Sequence, residues 1–135
     1  MSFPSMTARS GGWLCGAVRY AVRGEPYRYG ICHCADCRKE SGSIFVVYAH
    51  WRLKEAEVSG SVNTYKGRSF CPICGSRLFE LHATDIEIRI GSLDEAPTSL
   101  GLPVLEAWTK RREKWLEPIA GADQSPEDPS WQGSI

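Results

Sequence analysis

The chain has no apolar run approaching the roughly 20 residues that a membrane-spanning helix requires, so no helical span is expected in its 135 residues. Residues 1–10 carry one Arg, one Pro and no apolar segment, a pattern unlike a secretory signal. Excess charge is missing too: 16 basic residues balance 16 acidic ones and the pI is about 6.8. Without a basic stripe or interleaved aromatics, neither nucleic acid nor an anionic membrane is an expected partner. There is no internal repeat, and a chain of this size reads as one domain with a core of its own. These absences point to the reducing cytosol, where clustered cysteines serve as metal ligands more often than as disulfides.

Cysteine is what the chain does have. Five of its six cysteines fall in two clusters, Cys32-His33-Cys34-Ala35-Asp36-Cys37 and Cys71-Pro72-Ile73-Cys74-Gly75, with Cys15 alone near the start. C-x-C and C-x-x-C spacings aim sulfurs into one small volume, which suits zinc held at about 2.3 Å in a tetrahedron. Cys71 and Cys74 read as a zinc knuckle, in which the amides after the first sulfur turn back towards it and Gly75 supplies a positive φ. No βαβ pattern surrounds this pair, which separates it from a thioredoxin-type redox motif. Cys15 is the natural third ligand, or else a small buried residue. For the fourth position, either His, Asp, water or another group completes the site, or packing around Trp13 replaces part of the metal's contribution.

Cys32, Cys34 and Cys37 offer three thiolates from one loop. Two readings stand: an open site whose fourth position admits a substrate thiol, or a closed structural site with His33 or a distant residue as fourth ligand. His33 lies between two ligands, so its ring is expected to point away from the metal. Arg38, Lys39, Ser41 and Ser43 follow directly. They form either a small anion pocket beside the metal or a solvated helix end stopped by Gly42. His50 and His82 are expected to be structural.

Short apolar and β-branched runs with Gly and Pro punctuation argue for a mainly β fold. Strands are expected over residues 13–22 around Cys15, 44–51, 56–58, 61–66, 77–81, 86–90 and 104–108, with 27–31 leading into the cysteine loop. Ala35 to Ser41 can make one or two helical turns, and residues 109–116 are the one other helical candidate. Residues 120–135 are rich in Gly, Asp, Ser and Pro and read as a flexible C-terminal tail.

Taken in order, Gly11-Gly12-Trp13-Leu14-Cys15-Gly16-Ala17-Val18-Arg19-Tyr20, then Cys32 to Ser43, then Phe70-Cys71-Pro72-Ile73-Cys74-Gly75-Ser76 resemble the glutathione-dependent formaldehyde-activating enzyme family, which shares its domain with centromere protein V. Gly91-Ser92-Leu93-Asp94 and Trp115 look like later positions of the same pattern. The resemblance implies a zinc-stapled, Mss4-like fold of short antiparallel strands with one or two short helices over residues 11–119, after an N-terminal extension of residues 1–10. It implies a structural zinc on Cys15, Cys71 and Cys74, with the family's fourth structural cysteine falling on Trp13, and a catalytic zinc on Cys32, Cys34 and Cys37. The implied activity is that of a carbon–sulfur lyase, condensing formaldehyde or a related aldehyde with glutathione to S-hydroxymethylglutathione and reversing it. Arg38, Lys39, Ser41 and Ser43 would position the tripeptide. The competing expectation is a non-enzymatic zinc module that binds glutathione or a protein partner.

Overall fold

A computed structural model describes residues 7–129. Among them are β1 (Ala8–Gly12), β2 (Arg19–Arg23), β3 (Arg28–Cys32), α1 (Ala35–Ser41), β4 (Val46–Arg52), β5 (Ala56–Ser59), β6 (Asn63–Tyr65), β7 (Arg68–Phe70), β8 (Arg77–Leu81), β9 (Asp85–Arg89), β10 (Leu105–Ala107) and β11 (Asp123–Gln124). The fold is mainly β, as the sequence implied. Strands β1-β2-β5 form a small sheet, and β11-β10-β3-β4-β9-β8-β7-β6 form a large one. Pairing is antiparallel except at β10, which runs parallel to both β3 and β11. Gly30 permits the close approach of β10, since a Cβ there would lie 2.8 Å from the Leu105 carbonyl oxygen. No helix among the described residues is long and apolar enough to cross a membrane.

Strand alternation divides the large sheet into two chemically distinct faces. One cross-strand row runs Tyr29, Ala49, Ile88, Phe79, and it packs with Trp51 and Ile86 against Val18, Tyr20 and Val22 from the small-sheet side. Trp13 stacks on Phe79, with ring centroids 6.2 Å apart, and Tyr20 meets the same ring edge-on. The adjacent row runs Arg28, His50, Glu87, Glu80, Arg68 on the opposite face. Two carboxylates directly opposite one another repel, so this face requires neutralising charge. His50 Nε2 lies 3.1 Å from Glu87 and Arg77 2.9 Å from Glu80, while Arg89 pairs with both Glu87 and Glu40. Asp85 accepts from Tyr27 at 2.5 Å and lies 2.8 Å from His50 Nδ1. His50 and His82 therefore serve the ion network, one ring stacked on the other.

Two local expectations are corrected. Residues 13–22 are not one strand: β1 ends at Gly12 and β2 begins at Arg19, with Trp13 and Cys15 in the turn between them. The Gly16 amide closes that turn on the Trp13 carbonyl at 2.9 Å, and the partner of β2 includes residues 8–10 of the expected N-terminal extension. Residues 120–129 are likewise not a free tail. Their side chains are polar, but their backbone is used: Asp123 N donates to Val104 O and Ser125 N to Glu106 O, each at 2.9 Å, extending the sheet at β11. The remainder of the expected tail, residues 130–135, lies outside the described residues.

Phe79 is fully buried against Trp13 and Tyr20, so Phe79→Ala should lower the unfolding free energy by about 3–5 kcal/mol in urea titrations. The charged face predicts an acid limb. Burial by itself would raise Glu87, but the His50 hydrogen bond and the Arg89 charge hold it down at about 2, against an ordinary value of 4.5. A depressed carboxylate contributes stability above its unfolded value and loses it as pH falls through its folded one. Stability should therefore decline between about pH 4.5 and about pH 2, and Glu87→Gln should be weaker at neutral pH with a shallower acid decline.

Candidate metal centres and the adjoining cavity

The loop from β7 to β8 carries the knuckle. Cys71 Sγ accepts the amides of Ile73 at 3.3 Å and Cys74 at 3.4 Å, and Gly75, at φ 76°, returns its amide to the Cys71 carbonyl at 2.9 Å. Pairing of β1 with β2 delivers Cys15 to this loop, 3.6 Å from Cys71 sulfur to sulfur. The Cys15, Cys71 and Cys74 sulfurs lie within 4.8 Å of one another. The Ser76 hydroxyl, 3.1 Å from the Cys74 sulfur, and the Ser76 backbone bring that thiol down to about 6. Trp13 supplies no sulfur here; its ring is buried in the core.

The second cluster forms where β3 ends and α1 begins. Cys32 is the last residue of β3, Cys34 caps α1 by accepting the Cys37 amide at 3.3 Å, and Cys37 projects from the first turn. These three sulfurs also lie within 4.8 Å of one another. Crowding has a cost for anions: the Cys32 sulfur, then burial, push the Cys37 thiol well above its ordinary range, and burial raises Cys34. A bound dication reverses that penalty, because thiolates ionise together when they share its charge. Both clusters thus fit a thiophilic metal such as zinc in donor type, spacing and amide-to-sulfur hydrogen bonding. His33 turns away from the sulfurs, as expected, and its Nε2 donates to the buried carboxylate of Glu106 at 2.9 Å.

A cavity of about 470 Å³ is lined by neighbours of cysteines from both groups, though by none of the cysteines themselves. Its wall includes Gly75, next to Cys74, and Val46, cross-strand from Cys32. Ser41, Ser43, Phe45, Glu40, Arg77 and Arg89 complete much of the lining. Ser41 donates to the Cys37 carbonyl at 2.7 Å and accepts the Ser43 amide at 3.0 Å, which fixes the turn after α1. Glu40 is held by Arg89, by Arg68 at 2.6 Å and by Arg77 at 3.5 Å; these partners outweigh the burial that would raise it, and keep it below the usual carboxylate range. Lys39 lines a neighbouring cavity of about 390 Å³ with Tyr65, Lys66 and Arg68. Arg38 borders neither of these two cavities. It donates to the Arg111 carbonyl at 3.3 Å and pairs with Glu113 at 2.8 Å.

Arg77, Arg89 and Glu40 escaped the sequence reading. The pairing of β9 with β4 puts Glu87 and Arg89 on one face, but nothing in the sequence spacing indicates which element covers that face. A third group, Glu80, His82 and Glu87, also brings ligand atoms within 4.8 Å. Its carboxylates are engaged by Arg77, His50 and Arg89.

Residues 8–111 match the family model described as "Glutathione-dependent formaldehyde-activating enzyme". A Halomonas elongata protein named "Putative glutathione-dependent formaldehyde-activating enzyme" is 32% identical over 80 residues, covering 48% of this chain and 50% of that protein. The chain thus spans about half the length of this curated relative. A crystal structure of a Rhodobacter sphaeroides protein aligns with a TM-score of 0.51 at 21% identity, covering 70% of this chain and 96% of that one. That likeness concerns the fold alone. The family match, by contrast, takes in all six cysteines and most of the chain, which therefore belongs to the glutathione-dependent formaldehyde-activating enzyme family.

Proposed function

We propose that the chain is a zinc-dependent carbon–sulfur lyase that joins glutathione to formaldehyde or a related aldehyde and catalyses the reverse reaction. The observation that carries this reading is the Cys32, Cys34 and Cys37 group. Three sulfurs converge there, and among the described residues no His, Asp or Glu joins them as a fourth ligand. His33, between two of the sulfurs in sequence, bonds Glu106 through Nε2, and neither of its ring nitrogens converges with the three sulfurs. Three protein ligands with a position left for an exchangeable group is the arrangement of catalytic rather than structural zinc. Zinc held there would act as a Lewis acid that keeps an incoming thiol ionised near neutral pH.

The protein's own groups would then bind and orient. Arg77, Arg89 and the Ser43 region of the cavity offer cationic and hydrogen-bonding partners to a carboxylate of the tripeptide, with Phe45 and Val47 as an apolar wall. Lys39, in the adjoining cavity, is the candidate partner for the more distant carboxylate. Arg38 is left out of this reading because it borders neither cavity. In the forward reaction the glutathione sulfur forms a bond to the aldehyde carbon, the carbonyl oxygen takes up a proton, and the thiol proton is released. The reverse breaks that same carbon–sulfur bond. Cys15, Cys71 and Cys74 show the same three-sulfur count and would hold a second zinc; we assign it the structural role because the segment after Cys37 supplies Glu40, Ser41, Ser43 and Phe45 to the cavity wall, whereas the knuckle supplies only Gly75.

Cys34→Ser in the zinc-loaded protein should reduce S-hydroxymethylglutathione formation, followed by NMR, to the uncatalysed rate while the circular dichroism spectrum stays that of the wild type. Wild-type turnover in this variant would overturn the catalytic assignment. Lys39→Ala should raise the glutathione Kd measured by calorimetry by up to about tenfold, equivalent to ~1.4 kcal/mol. No heat from wild type at millimolar glutathione would refute the glutathione reading itself.

A further inference from the structure

Glu106 is completely buried, yet all of its hydrogen-bond partners are donors. Oε1 accepts from His33 Nε2 at 2.9 Å and from Arg112 Nε at 3.4 Å; Oε2 accepts from the Ile119 amide at 2.7 Å and from Gln124 Nε2 at 2.9 Å. An ionised carboxylate has about four acceptor positions, and this one uses them all. His33 is equally buried, and neither residue borders the cavity beside the cysteines. Direct contact with substrate is therefore not their role.

Their position suggests another. His33 stands between Cys32 and Cys34, so a bond that fixes its ring also fixes the backbone from which both sulfurs project. The His33 amide donates to the Ala107 carbonyl at 3.1 Å, and β3 is paired with β10 at Ile31 to Glu106 and Cys32 to Ala107. Beyond the third sulfur, Arg38 ties α1 to Arg111 and Glu113 of the same downstream segment. The cysteine loop is thus held at one end by β10 itself and at the other by residues that follow it. Glu106 also gathers the backbone of Ile119 and the side chain of Gln124.

We propose that Glu106 is a positioning residue for the three-sulfur centre, acting through His33, and that it couples the segment around residues 112–124 to metal binding by the Cys32–Cys37 loop. This rests on the reading of Cys32, Cys34 and Cys37 as a metal site. Glu106→Gln is the informative change because it keeps the shape but replaces one acceptor oxygen with an NH2 that must face a donor. Groups hydrogen-bonded directly to a metal ligand typically matter by about 10- to 100-fold in affinity, and Glu106, acting one residue further back through His33, is expected at the lower end of that range.

Cobalt(II) titration of the full chain, followed through thiolate charge-transfer and d–d absorption, tests it, with Cys34→Ser marking which bound equivalent belongs to the loop. Glu106→Gln should bind the loop equivalent roughly tenfold or more weakly, with altered d–d bands, while the Cys15, Cys71 and Cys74 equivalent is unchanged. His33→Phe should do the same, and His33→Gln, which retains an N–H donor, should recover much of the loss. Unchanged loop affinity and spectrum in folded Glu106→Gln would overturn the inference, as would equal weakening of both equivalents in step with Tm. If Glu106→Gln does not fold, the His33 pair decides, with equal binding by the two variants counting against the inference. If wild type has no equivalent that depends on Cys34, the metal reading fails first and takes this inference with it.

Discussion

Helix α1 follows a loop bearing two of the three clustered sulfurs and carries the third, yet it buries none of its residues. Seven residues are too few for a helix to persist on propensity alone, and the hydrophobic effect contributes little to a segment without a buried face. Its placement depends on charge. Glu40 reaches from its last turn to Arg68, Arg77 and Arg89 on the large sheet, and Arg38 reaches the other way to Glu113. The Glu40, Arg77 and Arg89 side chains are each about 12% exposed, which removes them from the class of surface pairs that contribute almost nothing. Partly buried pairs of this kind are costly to break, because the partner left behind is a charge without compensation.

That constraint explains the two faces of the large sheet. On one, Tyr29, Ala49, Ile88 and Phe79 form an apolar row that closes against the small sheet. On the other, His50, Glu87 and Glu80 lie in register as a polar row, and the arginines that neutralise it also anchor α1. The ion network is therefore the means by which a helix without a core is seated over a sheet, with the cavity formed against the arginines. The same arginines that orient α1 are those proposed to meet a substrate carboxylate.

The two cysteine centres are built by different means. The knuckle at Cys71 and Cys74 is local, shaped by amide-to-sulfur bonds and a left-handed glycine, and it needs only one contribution from a distance, Cys15. Trp13, two residues away, adds packing on Phe79 rather than a ligand. The loop from Cys32 to Cys37 is local in its sulfurs but not in its support. Its alignment draws on β4 on one side, on β10 on the other and on the buried Glu106 behind it.

The sequence by itself determined which sulfurs cluster, because thiolate spacing and glycine punctuation are properties of a few consecutive residues. The knuckle, the span of α1, the strand at residues 77–81 and the turn of His33 away from the sulfurs were all legible for that reason. Residues 13–22 were misread because an alternating run can be interrupted by a turn without losing its period. The strand at residues 123–124 was invisible because it is held by backbone hydrogen bonds, which leave no mark on side-chain composition. Tertiary structure alone decided the rest: that Arg38 pairs with Glu113 while Arg77 and Arg89 face the cavity, that Glu40 is shared by three arginines, and that one carboxylate far along the chain stands behind the cysteine loop. Long, flexible charged side chains reach whichever partner the fold presents, and their partners lie tens of residues away, so local pattern carries no record of the choice.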